Sequence, residues 1–221
     1  GHGPREVLAD HALGAPRDIP ALPGVGRPGV PSGALDVATL GQAVAALQPE
    51  DAIVVDEAAT SGAVWFALAG SAPRHSVLGL TGGAIGQGLP TAVGAAIACP
   101  QRKVIALQAD GSGMYTAQAL WTMARESLDV VVVLCANRAY RILQLEVARA
   151  GIAEPGPAAR GLTELSNPTL DWCALARGMG VPAARATDAD SFVKEFSRAL
   201  AEPGPALIEA CCAAVMKADA A

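Results

Sequence analysis

The chain has 221 residues, 52% of them hydrophobic and 17% charged, with a formal net charge of −5. That length and apolar content can bury one good core, which excludes a disordered chain. The acidic balance, with no Lys/Arg cluster, argues against nucleic acid as the main partner, because phosphate binding there rests on basic surface. No apolar run approaches the roughly 20 residues of a spanning helix, and no charged start leads into a signal-like apolar stretch, so no membrane partner and a soluble, cytoplasmic protein are expected.

Residues 1–34 carry Pro4, Pro16, Pro20, Pro23, Pro28 and Pro31 among several glycines. A backbone so interrupted cannot sustain long regular elements and reads as a linker or docking arm. The folded domain is expected over 35–221. Asp36 is a plausible cap for a helix whose apolar face is Val37, Leu40, Val44 and Leu47, ending at Pro49. Ile53–Asp56 has the pattern of a short buried strand, followed by the small-residue turn Ala59-Thr60-Ser61-Gly62 and an apolar helix through Leu68. Ser76–Leu78 is a candidate strand. The glycine-rich stretch from Gly82 to Gly88 then turns into a helix with Pro90 near its first turn, where a missing N–H does no harm, running to Cys99.

Val104–Leu107 is the next strand, ending in Asp110-Gly111-Ser112-Gly113; a helix is predicted over Tyr115–Ser127 and a strand over Val130–Cys135, ending in Ala136-Asn137. Further helices are predicted near Tyr140–Ala150, Asp171–Met179 and Asp188–Ala201, and strands near Pro182–Ala186 and Ala206–Ala210. Gly151–Pro168, richer in Gly and Pro, is expected as either a mobile loop over the site or a surface connection. About six short strands alternating with helices imply an α/β fold of three layers, αβα, around a mostly parallel central sheet.

In such a sheet Asp110 and Asn137, 27 residues apart, end two strands at the edge where ligands bind. A carboxylate and an amide oxygen are hard ligands suited to Mg²⁺, which keeps sites for water and phosphate oxygens. Gly111 and Gly113 let backbone N–H groups approach an anion at a helix start. Asp110 alone could be a plain helix cap. Thr60 has the same alternative, Ile85 could be ordinary core, and Tyr140 could be a packed tyrosine. The five cysteines, Cys99, Cys135, Cys173, Cys211 and Cys212, are odd in number, lack metal-finger spacing and read as buried free thiols. Gly86-Gln87-Gly88-Leu89-Pro90-Thr91 lacks the third glycine of a dinucleotide loop, against a nicotinamide oxidoreductase.

Together the Asp110-Gly111-Ser112 turn, Asn137, and the phrases Thr81–Pro90 and Ala119–Glu126 resemble the C-terminal, diphosphate-binding domain of thiamine-diphosphate-dependent enzymes. The resemblance covers about Asp36 to Ala210 and is closest to the acetolactate-synthase-like and benzoylformate-decarboxylase-like branch. Ala109 and Ala136 stand where that family's motif usually has Gly and the first Asn, and neither change removes a metal-binding side chain.

The resemblance implies thiamine diphosphate and Mg²⁺ as cofactors. Asp110, Asn137 and the backbone carbonyl of Ala139 would be the metal ligands; Thr60, Gly111, Ser112 and Tyr140 would lie along the diphosphate. Gly83 would offer its carbonyl to the aminopyrimidine, and Ile85 would be the wedge that bends the cofactor. It implies decarboxylation of a small 2-oxo acid, with possible carboligation. The activating glutamate belongs to a separate pyrimidine-binding domain, which nothing here matches, so no catalytic residue is assigned to this chain and Glu57 is not taken as a base. A pyrimidine-binding domain or subunit, and a homo- or hetero-oligomer, are the expected partners. The alternative is a non-catalytic cofactor-binding or assembly module.

Overall fold

A computed structural model describes residues 26–212. Six strands form one sheet, β1 (Ala52–Asp56), β2 (His75–Gly79), β3 (Val104–Ala109), β4 (Val130–Cys135), β5 (Ala183–Ala186) and β6 (Ala206–Ala210). They lie in the order β2-β1-β3-β4-β6-β5 and every neighbouring pair is parallel. The central strands are apolar throughout: all six residues of β4 are buried, as are the first five of β3. That pattern belongs to strands covered on both faces.

The covering helices sort by face. Val54, Ile105, Val131, Val133 and Ile208 point to one side, packing with Leu40 and Val44 of α1 (Val37–Leu47), Trp65 of α2 (Ala63–Leu68) and Phe192 and Phe196 of α9 (Ala189–Ala201). Their alternates Ile53, Val55, Ala106, Val132 and Leu207 meet Leu89 of α3 (Gly88–Ala98), Leu120 and Met123 of α5 (Ala119–Arg125) and Trp172 of α8 (Trp172–Gly178). Period-two alternation thus supplies two cores, and the three αβα layers follow. The remaining helices, α4 (Asp110–Gly113), α6 (Arg141–Arg149) and α7 (Pro157–Thr163), lie in the segments after β3 and β4.

The ends of the elements follow local chemistry. Asp36 accepts from the amides of Ala38 and Thr39, and Thr39 answers with its hydroxyl, a reciprocal box that starts α1 where the sequence placed it. Asp188 and Ser191 repeat the device at α9. Part of the proline-rich arm falls among the described residues, where Gly33 and Ala34 bond to the start of α9 and Arg27 donates to the carbonyls of Ala46 and Gln48. Residues 1–25 of that arm lie outside the described residues.

Two expectations need correction. The helix predicted over Tyr115–Ser127 is broken: a four-residue turn of helix, α4, is followed by hydrogen-bonded turns, and α5 begins only at Ala119. The amides of Tyr115 and Thr116 bond three residues back, to Ser112 and Gly113, as in turns, and the Thr116 hydroxyl donates to the carbonyl of Gly86. The Gly151–Pro168 stretch is a mostly exposed connection between α6 and α8, one of the two forms expected, but it holds a helix not predicted there, α7, with Pro157 as its first residue. Its far end bonds to the Asn137 loop: Tyr140 N–H donates to Thr163, Leu165 N–H to Arg138, and Ala139 pairs with Glu164. No helix among the described residues is long and apolar enough to cross a membrane.

Candidate functional site

The chain leaves β1 for β2 on one side, then returns past β1 to β3 on the other. Diverging connections open a crevice at the carboxyl ends of β1 and β3, the switch point where parallel sheets bind ligands. The β1 end delivers Glu57 to Thr60, the β3 end delivers Asp110 to Ser112, and the neighbouring β4 end delivers Asn137 to Ile142. One pocket is lined by residues of all three, including Thr60, Gly111, Ser112, Asn137, Ala139 and Tyr140, with Ile85 from the glycine-rich loop. Gly83 lies two residues from that wall on an exposed turn, with a left-handed backbone at Gly82 and Gly83 (φ 65° and 69°).

Asp110 is 2% exposed, between two residues, Ala109 and Gly111, that line the pocket. Its Oδ2 accepts from the Arg138 amide at 2.5 Å and its Oδ1 from the Gly111 amide at 3.0 Å. The first bond ties the Asp110 turn directly to the Asn137 loop. Arg138 adopts a left-handed backbone (φ 60°), an uncommon state for a non-glycine residue that makes this loop turn sharply. Burial pushes the Asp110 carboxyl up to about 6, against the lowering effect of the Arg138 and Gly111 amides. Asn137 Oδ1 accepts from the Ala139 amide at 3.0 Å, leaving its second lone pair available.

Asp110 caps nothing, since α4 begins at that residue with no side-chain cap. Thr60 is not a helix cap either: α2 starts after Gly62 without one, and Thr60 sits in the turn facing the pocket. Ile85 is half-buried on the pocket wall, outside both cores. Tyr140 lays its ring over Gly111, where an added Cβ would meet ring carbons at 2.5 and 2.6 Å. Ser112 is buried and its hydroxyl donates to Gln108 Oε1 at 2.5 Å, which leaves its backbone N–H as the donor toward an anion.

Sequence reasoning missed the interior of the site. Glu57, 2% exposed, accepts from the amides of Gly86, Gln87 and Gly88 at 2.7, 2.9 and 2.9 Å and from Gln108 Nε2 at 2.8 Å. Both carboxylate oxygens are occupied, so it is no free base. Its donors lie 29 to 51 residues away in sequence, a separation that no local pattern reports. Three of the five thiols, Cys135, Cys173 and Cys212, are buried; Cys99 and Cys211 are only partly so. Cys173 joins Asp171 and Glu209 in a cluster whose possible ligand atoms lie within 4.8 Å of one another. Arg185 already bridges the two carboxylates at 2.9 and 3.0 Å, and burial pushes the Cys173 thiol up to about 11, away from thiolate.

Comparison with known proteins matches residues 59–210 to the family described as "Thiamine pyrophosphate enzyme, C-terminal TPP binding domain". The chain is 48% identical over 204 residues to a Mycobacterium tuberculosis protein provisionally named acetolactate synthase large subunit, covering 92% of this chain and 39% of that protein. It is 37% identical over 205 residues to a benzoylformate decarboxylase of Pseudomonas aeruginosa, again covering 92% of this chain and 37% of the relative. Among solved structures, a thiamine diphosphate-dependent 4-hydroxybenzoylformate decarboxylase from Rhodococcus jostii RHA1 superposes with a TM-score of 0.72 at 30% identity, over 94% of this chain and 38% of that one. The chain therefore spans under two fifths of the length of these relatives.

Proposed function

The chain belongs to the thiamine pyrophosphate enzyme family through its C-terminal TPP binding domain, and from that premise we propose that it anchors thiamine diphosphate through Mg²⁺ in an enzyme that decarboxylates a 2-oxo acid, with possible carboligation. The observation that carries the reading is the meeting of three strand-end turns at one pocket, beside the buried Asp110 carboxyl that desolvation pushes up to about 6.

The residues fit these groups. A cation beside Asp110 offsets the desolvation that pushes its carboxyl up, and an oxygen-only donor set suits Mg²⁺. Asp110 and Asn137 would hold the metal by their side chains and Ala139 by its backbone carbonyl. Glycine at 111 is required by the Tyr140 ring above it, and the result is a narrow turn whose amides can meet phosphate oxygens. Thr60 closes the β1 side of the same pocket, Ile85 gives its apolar wall, and Gly83 would offer its carbonyl to the pyrimidine. Once bound, the cofactor supplies the electron sink that lets the bond between a carboxylate and a carbonyl carbon break. The chain's own part is to place that cofactor, neutralise its charge and keep its reactive side in an apolar setting.

Glu57 lines this pocket but has no free oxygen, which leaves activation of the cofactor to a glutamate outside the described residues. That glutamate would come from a pyrimidine-binding domain, in another part of the protein or in another subunit, and a homo- or hetero-oligomer would complete the site. Cysteines that stay unpaired support a reducing, cytoplasmic setting.

Titration calorimetry tests the reading. Thiamine diphosphate should bind one per chain and only with Mg²⁺; no binding, even with the pyrimidine-binding domain present, would refute it. CO₂ release from pyruvate and benzoylformate by the reconstituted pair should follow. Tight cofactor binding without turnover on any 2-oxo acid would favour the non-catalytic module.

A further inference from the structure

We infer that Glu57 and Gln108 form a buried positioning relay that fixes the glycine-rich loop bearing Gly83 and Ile85 relative to the turn bearing Asp110 and Ser112. The inference rests on the reading that thiamine diphosphate is the pocket's occupant, and assigns roles to two residues that touch neither metal nor diphosphate.

The chemistry of the two side chains dictates the arrangement. Four N–H donors converge on Glu57, from Gly86, Gln87, Gly88 and Gln108, and a carboxylate is the side chain that accepts on all sides and donates nowhere. Because Glu57 cannot donate, the Gln108 amide must present its NH₂ to it, and its oxygen then faces the other way. That oxygen accepts the Ser112 hydroxyl at 2.5 Å and the Ala109 amide at 3.1 Å. A continuous network of bonds therefore runs from the amides at the start of α3, through Glu57 and Gln108, to the β3 turn, where the Ser112 hydroxyl also lies 3.4 Å from the Glu57 carbonyl. All three side chains are buried.

The loop has few other constraints. Gly82, Gly83 and Gly86 hold left-handed backbones (φ 65°, 69° and 102°), a stretch that glycine makes permissive and therefore intrinsically loose. Beyond Glu57, its ties include the Thr116 hydroxyl on the Gly86 carbonyl, the Gln87 side chain on the Thr81 and Ala84 carbonyls, the Ala84 amide on the Thr81 carbonyl, and the packing of Gly86 against Tyr115. Close packing matches the bond pattern: a Cβ at Gly88 would stand 2.7 Å from Glu57 Cβ and 2.9 Å from Gln108 Nε2. Glutamate at 57 thus sets where Ile85 stands on the pocket wall before any cofactor arrives.

A relay of this kind acts on one end of the ligand more than the other. Glu57→Gln replaces one acceptor oxygen with an NH₂ that opposes an amide N–H, freeing the loop while the Asp110 turn keeps its own bonds to Arg138 and Gly111. The test is calorimetry of the whole chain with Mg²⁺ and either thiamine diphosphate or inorganic diphosphate, which lacks the pyrimidine. The variant should bind thiamine diphosphate at least tenfold more weakly than wild type and inorganic diphosphate within twofold. Glu57→Asp, one methylene short of the loop, should not rescue it. Equal weakening of both ligands would mean a general structural role and overturn the inference, as would unchanged binding of both. If wild type binds neither, the proposed function fails, and amide hydrogen exchange of wild type then decides the relay. Slow exchange at Gly86, Gln87 and Gly88 without ligand supports it, and exchange as fast as at exposed Gly82 and Gly83 refutes it.

Discussion

Replacing Asp110 by Asn should separate stability from function in a way only a ligand-binding carboxylate allows. Burial raises the Asp110 carboxyl from an ordinary 3.8 to about 6. At 1.36 kcal/mol per unit, that shift is a penalty of roughly 3 kcal/mol on the ligand-free folded state at neutral pH. The unfolded chain releases this proton near its ordinary value while the folded chain retains it, so the folded state binds more protons between about pH 4 and 6. The Asp110 contribution to stability therefore falls as pH rises through that window, then stays flat above it. Asparagine abolishes the titration but keeps one acceptor oxygen, so one of the Arg138 and Gly111 amides loses its partner, at a cost of about 1–3 kcal/mol.

The ligand-free variant should consequently match wild type or exceed it by up to about 2 kcal/mol at pH 7.5. Its advantage should grow by about 2.4 kcal/mol between pH 4 and pH 7.5. Urea unfolding of both proteins at several pH values measures that difference, and comparison with wild type cancels the other carboxyl groups. Adding Mg²⁺ and thiamine diphosphate at about a hundred times Kd should then stabilise wild type by about 2.7 kcal/mol and leave the variant unchanged. A pH-independent difference, or a variant stabilised equally by the cofactor, would refute the assignment of Asp110 as a desolvated ligand.

Other outcomes follow from the same geometry. Gly111→Ala places a methyl 2.5 Å from the Tyr140 ring and should cost about 1–3 kcal/mol in urea unfolding. Adding Tyr140→Ala should recover part of that loss, and an additive double mutant would contradict the contact. Metal affinity, followed by Mn²⁺ titration with diphosphate, should drop about tenfold per pH unit below 6, because one proton on Asp110 competes with the ion; a flat profile from pH 5 to 7 would exclude Asp110 as a ligand. Phe192→Ala empties a fully buried position stacked on Phe196 and should cost about 3–5 kcal/mol. It lies in the core opposite α3 and α5, so cofactor stoichiometry in calorimetry should remain one per chain.

Much of the fold was legible because its signals are local. Val130–Cys135 is apolar at every position, as a strand covered on both faces must be, and Asp36 announced a helix by the chemistry of its own side chain. Asp110, Asn137 and Thr60 could be placed at strand ends because parallel topology leaves only one edge for such turns. The failures have tertiary causes. Tyr115 to Gln118 carry no breaker, yet Thr116 is claimed by the Gly86 carbonyl 30 residues away and the helix starts late. The α7 helix had a readable signal in Gly156-Pro157, outweighed by the glycines and prolines around it. Glu57 had none, since a carboxylate after a strand looks the same whether it faces water or four buried donors. Ser112 was placed correctly in the turn, but the direction of its hydroxyl depends on Gln108, whose orientation depends on Glu57.

Crystals grown with thiamine diphosphate and Mn²⁺ in place of Mg²⁺, with data collected at the manganese edge, test the central claim most directly. The account predicts one anomalous peak per chain, about 2.0–2.3 Å from a carboxylate oxygen of Asp110 and from Asn137 Oδ1, with diphosphate density beside Gly111 and Ser112. A peak at any other place, or diphosphate density away from the ends of β1, β3 and β4, would contradict it.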